Sequence, residues 1–278
     1  MDVILAHLPA VEEHTIEPET APLFYRSAPT EEPPVLYLHG MPTSSADFDE
    51  LLCRTGGFAP DLPGFGRSIK AGHLRYTIDA QAVFINQFLR QLQIDRVKLV
   101  AHGWGAGGGL LFAQHQPERI ERLVLIDALP LFAGVRWSRL ARWLRTPMLG
   151  ELVMGAISRR RFERMLREAA VVQLPEERLT RAWQMFDQGT QRAVLRLLRD
   201  AAEDGGRRLE QAGADLGRLD DVPALIVWGD ADPWWPAQYA ERYAAALPQA
   251  RLRVVAGAGH WPWFGNPGLA DEIAEFLA

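Results

Sequence analysis

The chain has a single cysteine, Cys53, in 278 residues. One thiol excludes an intramolecular disulfide framework and any zinc site built from several thiolates. Lysine is almost missing: Lys70 and Lys98 are the only two, and the other 28 of the 30 basic residues are arginines. No apolar run approaches the roughly 20 residues that a membrane-spanning helix needs, so no membrane partner is expected. The N-terminal segment MDVILAHLPAVEEHTIE has no basic region ahead of its apolar start, and acids follow at once. No secretory leader is expected there, and the expected location is cytoplasmic. The seven histidines form no His-x-x-x-His pair, so no metal is expected, and no motif calls for a cofactor. A net charge of −5, without basic residues interleaved with aromatics, argues against a nucleic-acid partner. Oligomeric state is not legible. What remains is 48% apolar and 23% charged, enough to offset chain entropy in one domain, or in one domain with an insert.

Short apolar runs, each ending in turn residues, alternate with helix-like stretches. Val35–His39 runs into Gly40-Met41-Pro42, and Phe58-Ala59 into Pro60-Asp61-Leu62-Pro63-Gly64-Phe65-Gly66. Val97–Ala101 runs into His102-Gly103-Trp104-Gly105, and Leu123–Ile126 into Asp127-Ala128-Leu129-Pro130. Ala224–Trp228 ends in Gly229-Asp230, and Leu252–Val255 in Ala256-Gly257-Ala258-Gly259-His260. The spacing predicts amphipathic helices over Ile78–Leu92, Gly105–Gln116, Ala237–Ala246 and Gly268–Leu277. Buried strands alternating with helices imply an α/β fold with a mostly parallel sheet covered on both faces. Such a sheet presents its chemistry at the carboxyl ends of its strands. The alternation stops over 131–219, an arginine-rich stretch with a helical pattern. That predicts three segments: a core over 1–130, a helical cap over 131–219, and a returning core over 220–278. Arginines of the cap are read as solvated helix faces, with attraction of an anionic substrate as the sharper alternative.

The strand–turn–helix around Gly103 is the most informative segment. A nucleophile elbow needs a strand, a sharp turn and small neighbours where helix meets strand. Ala101 and Gly105 supply those neighbours, two positions either side of Gly103. A phosphate loop is excluded by the missing Lys-Ser/Thr ending. Gly103-Trp104-Gly105-Ala106-Gly107-Gly108 matches a dinucleotide fingerprint by letter, but it follows a late strand, and no acid stands about 20 residues on in the right setting.

Taken in order, His39-Gly40-Met41-Pro42, Asp61 through Ser68, the Gly103 elbow, Gly229-Asp230-Ala231-Asp232-Pro233 and Gly259-His260 resemble the α/β-hydrolase superfamily over nearly the whole chain. Trp104, after the elbow position, is similar to the His-Asp-Trp-Gly elbow of its haloalkane dehalogenase and epoxide hydrolase branch. The resemblance implies an α/β-hydrolase fold with a cap. It makes His260 the general base and Asp232 its acid partner. Asp127, after another strand, is where some relatives carry that acid, and is the alternative. Backbone N–H groups of Met41 and Trp104 would form the oxyanion or leaving-group hole. The nucleophile position is Gly103, and glycine has no side chain with which to attack carbon. His102 is expected to point away from the cleft, by the alternation of side chains at a strand end. Ser44, Ser45 and Cys53 are read as capping or packing residues.

Three outcomes follow for function. The protein acts on a small organic substrate of ester, halide or epoxide type, with covalent hydrolysis impaired; or it binds a ligand without turnover; or His260 serves a nucleophile-free general-base or lyase reaction. Cap tyrosines, which polarise epoxides in the resembling enzymes, are missing: Tyr25, Tyr37, Tyr76, Tyr239 and Tyr243 all lie outside 131–219. Met41 has no side-chain donor for a halide. Nine tryptophans supply a candidate apolar wall. The expected wall residues are His39 and Phe132, then Trp137, Trp143 and Trp183 of the cap, and Trp235, Trp261 and Trp263 beside Asp232 and His260.

Overall fold

The computed structural model describes residues 10–16 and 22–278; residues 1–9, the start of the segment read above for a leader, lie outside the described residues. The first elements are β1 (Glu12–Ile16), β2 (Leu23–Ala28), β3 (Val35–Leu38), α1 (Asp49–Thr55), β4 (Gly57–Pro60) and α2 (Ile78–Gln91). Then come β5 (Val97–His102), α3 (Gly105–His115) and β6 (Ile120–Ile126). Helices α4 (Arg139–Arg145), α5 (Leu149–Gly155), α6 (Arg159–Ala170), α7 (Glu176–Met185), α8 (Gln188–Asp200) and α9 (Arg207–Ala214) follow without a strand. The chain ends with β7 (Ala224–Gly229), α10 (Gln238–Ala246), β8 (Ala250–Val255) and α11 (Pro267–Leu277).

The eight strands form one sheet in the order β1-β2-β4-β3-β5-β6-β7-β8. Pairings β1–β2 and β2–β4 are antiparallel, and the others are parallel. Every residue of β3, β5 and β7 is buried, as parallel strands covered on both faces require. The sequence pattern missed β1 and β2. Their residues, EEHTI and LFYRSA, mix charged, polar and apolar side chains without a buried run, and Arg26 of β2 reaches Glu13 at 2.6 Å and Asp49 at 3.2 Å. The edge strand β8 is mostly exposed and carries Arg251 and Arg253, charges that discourage pairing with another chain.

Helix α3 opens Gly-Ala-Gly-Gly-Gly, a poor helix former by about 1 kcal/mol per glycine. Close packing explains two of these residues. A Cβ on Gly105 would stand 2.5 Å from the Leu38 carbonyl oxygen, and one on Gly108 would stand 2.4 Å from the Gln81 Cβ. The helix therefore lies directly on β3 and α2, and its N-terminus is fixed at the elbow.

Helices α4–α8 face the carboxyl ends of the strands, whereas α9 returns to the core, where Gln114 of α3 donates to the Ala212 carbonyl at 2.7 Å. Side chains of Ser138, Ser158 and Asp187 cap α4, α6 and α8. Several arginines of the stretch have a use that neither sequence reading foresaw: they tie it to the core. Arg178 pairs with Asp47, Arg181 with Asp49 and Arg208 with Asp79, while Arg196 donates to the Gly72 and Leu74 carbonyls. Among the described residues, no helix is long and apolar enough to cross a membrane.

Candidate active site

Gly103 closes the turn between β5 and α3 with φ +51°. Its N–H donates to the Ile126 carbonyl at 3.1 Å, and its own carbonyl accepts from Leu129 N–H at 2.8 Å. Both bonds pin the elbow to the end of β6. Left-handed backbone of this kind favours glycine. A Cβ built here would stand 3.1 Å from His260 Nε2 and 3.3 Å from Gly40 Cα. The imidazole therefore occupies the neighbourhood that a nucleophilic side chain would need.

His260 is held from three sides. Its Nδ1–H donates to Asp232 Oδ2 at 2.7 Å, and both side chains are buried. Its backbone N–H donates to the Ala169 carbonyl at the end of α6, 2.8 Å away, so the helical stretch helps to build the site. Its own carbonyl accepts from His102 Nε2 at 2.8 Å. Asp232 is fixed in turn by the Trp234 N–H, which donates to Oδ1 at 2.7 Å. With Nδ1 protonated, the lone pair of a neutral imidazole lies on Nε2, the atom facing Gly103. Nε2 makes no hydrogen bond to any described residue.

Asp127 stands at the end of β6 with φ +40° and is fully buried. Its carboxyl accepts from Gly229 N–H at 3.1 Å and lies beside that of Asp232, with an oxygen of each within 4.8 Å of the other. It makes no hydrogen bond to the imidazole, whose Nδ1 is taken by Asp232. Burial holds the Asp127 carboxyl well above the usual carboxylate range, and the neighbouring Asp232 charge adds to the effect. Donor atoms of Asp127, Asp232 and His260 lie within 4.8 Å of one another. A cation does not fit between the last two: tetrahedral bonds of about 2 Å set ligand atoms roughly 3.3 Å apart, and Nδ1 and Oδ2 are 2.7 Å apart.

Met41 N–H and Trp104 N–H donate to no described residue, and their loops meet where Gly40 approaches Gly103. Beside them lies a cavity of about 100 Å³ lined by Met41, Trp104, Trp137, Ala141, Leu144, Met165, Trp234 and Trp235 among others. Trp234, part of that lining, packs on His260 with ring centroids 4.5 Å apart. A larger cleft of about 1100 Å³, lined by charged groups such as Arg75, Arg196 and Asp200, lies on the far side of α4 and shares only Trp137 with the smaller one.

Of the expected wall residues, Trp137 and Trp235 line the cavity, and six are placed elsewhere. His39 is a loop fastener: Nε2 accepts from Leu62 N–H at 2.9 Å, and Nδ1 donates to the Gly40 carbonyl at 2.7 Å. Burial pushes its pKa down, which keeps that tautomer neutral. Phe132 packs on Tyr243 and faces the larger cleft. Trp143 is 42% exposed on the outer side of α4, where the Arg139 guanidinium covers it. Trp183 packs on Phe162 and Phe186. Trp261 and Trp263 both donate through Nε1 to Asp47, at 3.0 Å to its carboxylate and 3.2 Å to its carbonyl. These two are structural indoles behind His260; a buried Trp needs a partner for its N–H. His102 packs against His260 with ring centroids 4.5 Å apart. Burial pushes its pKa well down, with His260 second.

Sequence reasoning missed Asp47 and the Asp127–Asp232 contact. No local motif marks Asp47, whose partners are more than 130 residues away. For the carboxyl pair a signal did exist: acids follow two adjacent strands, β6 and β7, and neighbouring strand ends bring them together.

A mostly parallel sheet, an elbow at the end of β5 and an Asp–His pair after β7 and β8 define a class. The sequence matches the family described as alpha/beta hydrolase fold over residues 33–267, and the chain belongs to that family. It is 28% identical over 263 residues to an uncharacterised protein of Mycobacterium tuberculosis, an alignment covering 87% of this chain and 74% of that one. It is also 28% identical over 232 residues to a haloalkane dehalogenase of Mycolicibacterium paratuberculosis, covering 77% and 74% of the two chains. The crystal structure of the haloalkane dehalogenase DbeA from Bradyrhizobium elkani superposes with a TM-score of 0.83 at 23% identity, covering 96% of this chain and 97% of that one. That likeness is one of fold.

Proposed function

We propose that the protein hydrolyses a small, largely apolar ester without a covalent intermediate, with His260 as general base toward water and helices α4–α8 as the cap. The observation that carries this reading is His260 Nε2: it is held by Asp232 through Nδ1, and it faces an elbow where no side chain competes for it. Water attacks the substrate carbonyl carbon as Nε2 takes its proton. The C–O π bond opens to an oxyanion, which the Met41 and Trp104 N–H groups receive. The tetrahedral intermediate collapses, the alkoxide leaves, and the imidazolium returns the proton to it. Asp232 stabilises the imidazolium throughout.

The choice among substrate classes rests on donors. Two backbone N–H groups suit an oxyanion, and Met41 offers no side-chain donor to a halide. Among the described residues no tyrosine hydroxyl lines the cavity, which leaves an epoxide oxygen unserved. A panel of short-chain esters tests the reading. The wild-type chain is expected to turn over at least one, His260→Ala is expected to lose about 10²–10⁴-fold, and mass spectrometry of the quenched enzyme is expected to find no acyl adduct. Equal rates in wild type and His260→Ala, or an acyl adduct, would overturn it.

One observation favours a second reading, binding without turnover: Nε2 sits so close to the elbow that clearance for a reacting water is small. In that case a ligand raises the melting temperature with no ester consumed.

A further inference from the structure

The sheet brings two buried carboxyl groups together where the mechanism above uses one. Asp127 ends β6, Asp232 follows β7, and their hydrogen-bonding atoms share a space of less than 4.8 Å with the His260 imidazole. Both side chains are sealed from solvent. The charged and titratable groups facing the pair are His260 and, behind it, His102. Among the described residues no guanidinium or ammonium group pairs with either acid. Two carboxylates cannot both hold a negative charge in such a space, so one carries a proton.

Donor counting says which. Asp232 accepts from Trp234 N–H at 2.7 Å and from His260 Nδ1–H at 2.7 Å, one on each oxygen. Asp127 accepts only from Gly229 N–H. Hydrogen bonds to the charged form favour that form, so the charge settles on Asp232. The proton belongs to Asp127, and Asp127 can then give Asp232 a third donor. We infer that Asp127 is a positioning residue, a neutral carboxylic acid that donates a hydrogen bond to Asp232 and fixes the carboxylate that orients His260. The chain of bonds runs Gly229 N–H to Asp127, Asp127 O–H to Asp232, and His260 Nδ1–H to Asp232 from the other side. The role rests on the reading of His260 as base, but the arrangement itself does not.

Asparagine is the isostere of the proposed state: its carbonyl can accept from Gly229, and its amide can donate to Asp232. Alanine can do neither. Infrared difference spectra of wild type against Asp127→Asn at neutral pH are expected to show a protonated carboxylic acid band that the variant lacks. Proton NMR is expected to place the His260 Nδ1 proton at the same downfield position in wild type and Asp127→Asn, and to shift or lose it in Asp127→Ala. A wild-type spectrum without the acid band overturns the protonation state. An Nδ1 proton displaced in Asp127→Asn, or unmoved in Asp127→Ala, overturns the positioning role. Should Asp127→Ala not fold, the infrared band and the Asp127→Asn resonance still decide. If these hold while His260→Ala leaves ester turnover intact, the proposed function fails and this inference stands.

Discussion

Gly103 and His260 are fitted to each other: the glycine adopts φ +51°, and the imidazole Nε2 stands 3.1 Å from the point its missing Cβ would occupy. A side chain at position 103 therefore meets two penalties. Left-handed backbone costs a non-glycine residue about 1–2 kcal/mol. The contacts with Nε2 and with Gly40 Cα, at 3.3 Å, require a shift of a few tenths of an ångström, part of it in backbone. Gly103→Ser and Gly103→Asp are both expected to lower the melting temperature, by an amount equivalent to about 1–3 kcal/mol. An unchanged or raised melting temperature in thermal denaturation would remove the strain argument.

Chemistry should move in the opposite direction. Gly103→Ser places a hydroxyl beside the base that Asp232 already orients, and Gly103→Asp places a carboxylate there. At least one variant is expected to gain turnover on a panel of esters and alkyl halides, with an acyl or alkyl adduct visible by mass spectrometry. Folded variants that gain nothing would show that more than the nucleophile differs from a hydrolytic site.

The legible part of this fold was the part set by local pattern. Strands β3 and β7 and the later parts of β5 (99–101) and β6 (123–126) are apolar runs because both of their faces are buried, and turn residues after β5, β7 and β8 mark the carboxyl ends where Gly103, Asp232 and His260 lie. Strands β1 and β2 escaped because their pairing is antiparallel and mixes charged with apolar residues, leaving no buried run to read. The wall residues were legible only in part. Trp137 and Trp143 are six positions apart, yet one lines the cavity and the other faces solvent. Proximity in sequence to His260 also misled, since the Trp261 and Trp263 indoles turn toward Asp47.

The proton on Asp127 has a consequence for stability. Burial and Asp232 raise its pKa in the folded chain, whereas in the unfolded chain it titrates near 3.9. Between those two values the folded state holds a proton that the unfolded state has lost. Stability from this group is therefore greatest at low pH and falls as pH rises from about 4 toward the folded pKa. Asp127→Asn has no such proton. The melting temperature of Asp127→Asn minus that of wild type is expected to grow steadily as pH rises above about 4. A flat difference curve would show that Asp127 titrates alike in both states.

The cavity beside Trp104 is small, about 100 Å³, and Ala141 of α4 forms part of its lining. Ala141→Trp directs an indole into that space. It is expected to abolish ligand-induced thermal stabilisation and ester turnover together, while the His260 Nδ1 proton resonance stays in place. Turnover at the wild-type rate would show that substrate reaches His260 by another route, such as the larger cleft across α4.

Asp47 joins helix α7 to the residues packed behind His260. Its carboxylate is 7% exposed, accepts from Trp261 Nε1 at 3.0 Å and pairs with Arg178 at 3.5 Å. Arg178 also lies over the Phe264 ring, 4.0 Å from its centroid, and that ring stacks on Trp261. Removing the acid leaves a buried indole N–H and a half-buried guanidinium without their acceptor. Such losses cost about 2–4 kcal/mol. Asp47→Ala is expected to show this loss in denaturant unfolding. Asp47→Asn keeps an oxygen for the indole and surrenders only the charge, so it should lose about 1 kcal/mol. Because Trp261 packs edge-on against His260 with centroids 5.0 Å apart, Asp47→Ala should also broaden the Nδ1 proton resonance. Equal stability of the two variants would mean that this junction depends on the arginine's contact with Phe264 and not on the buried acceptor.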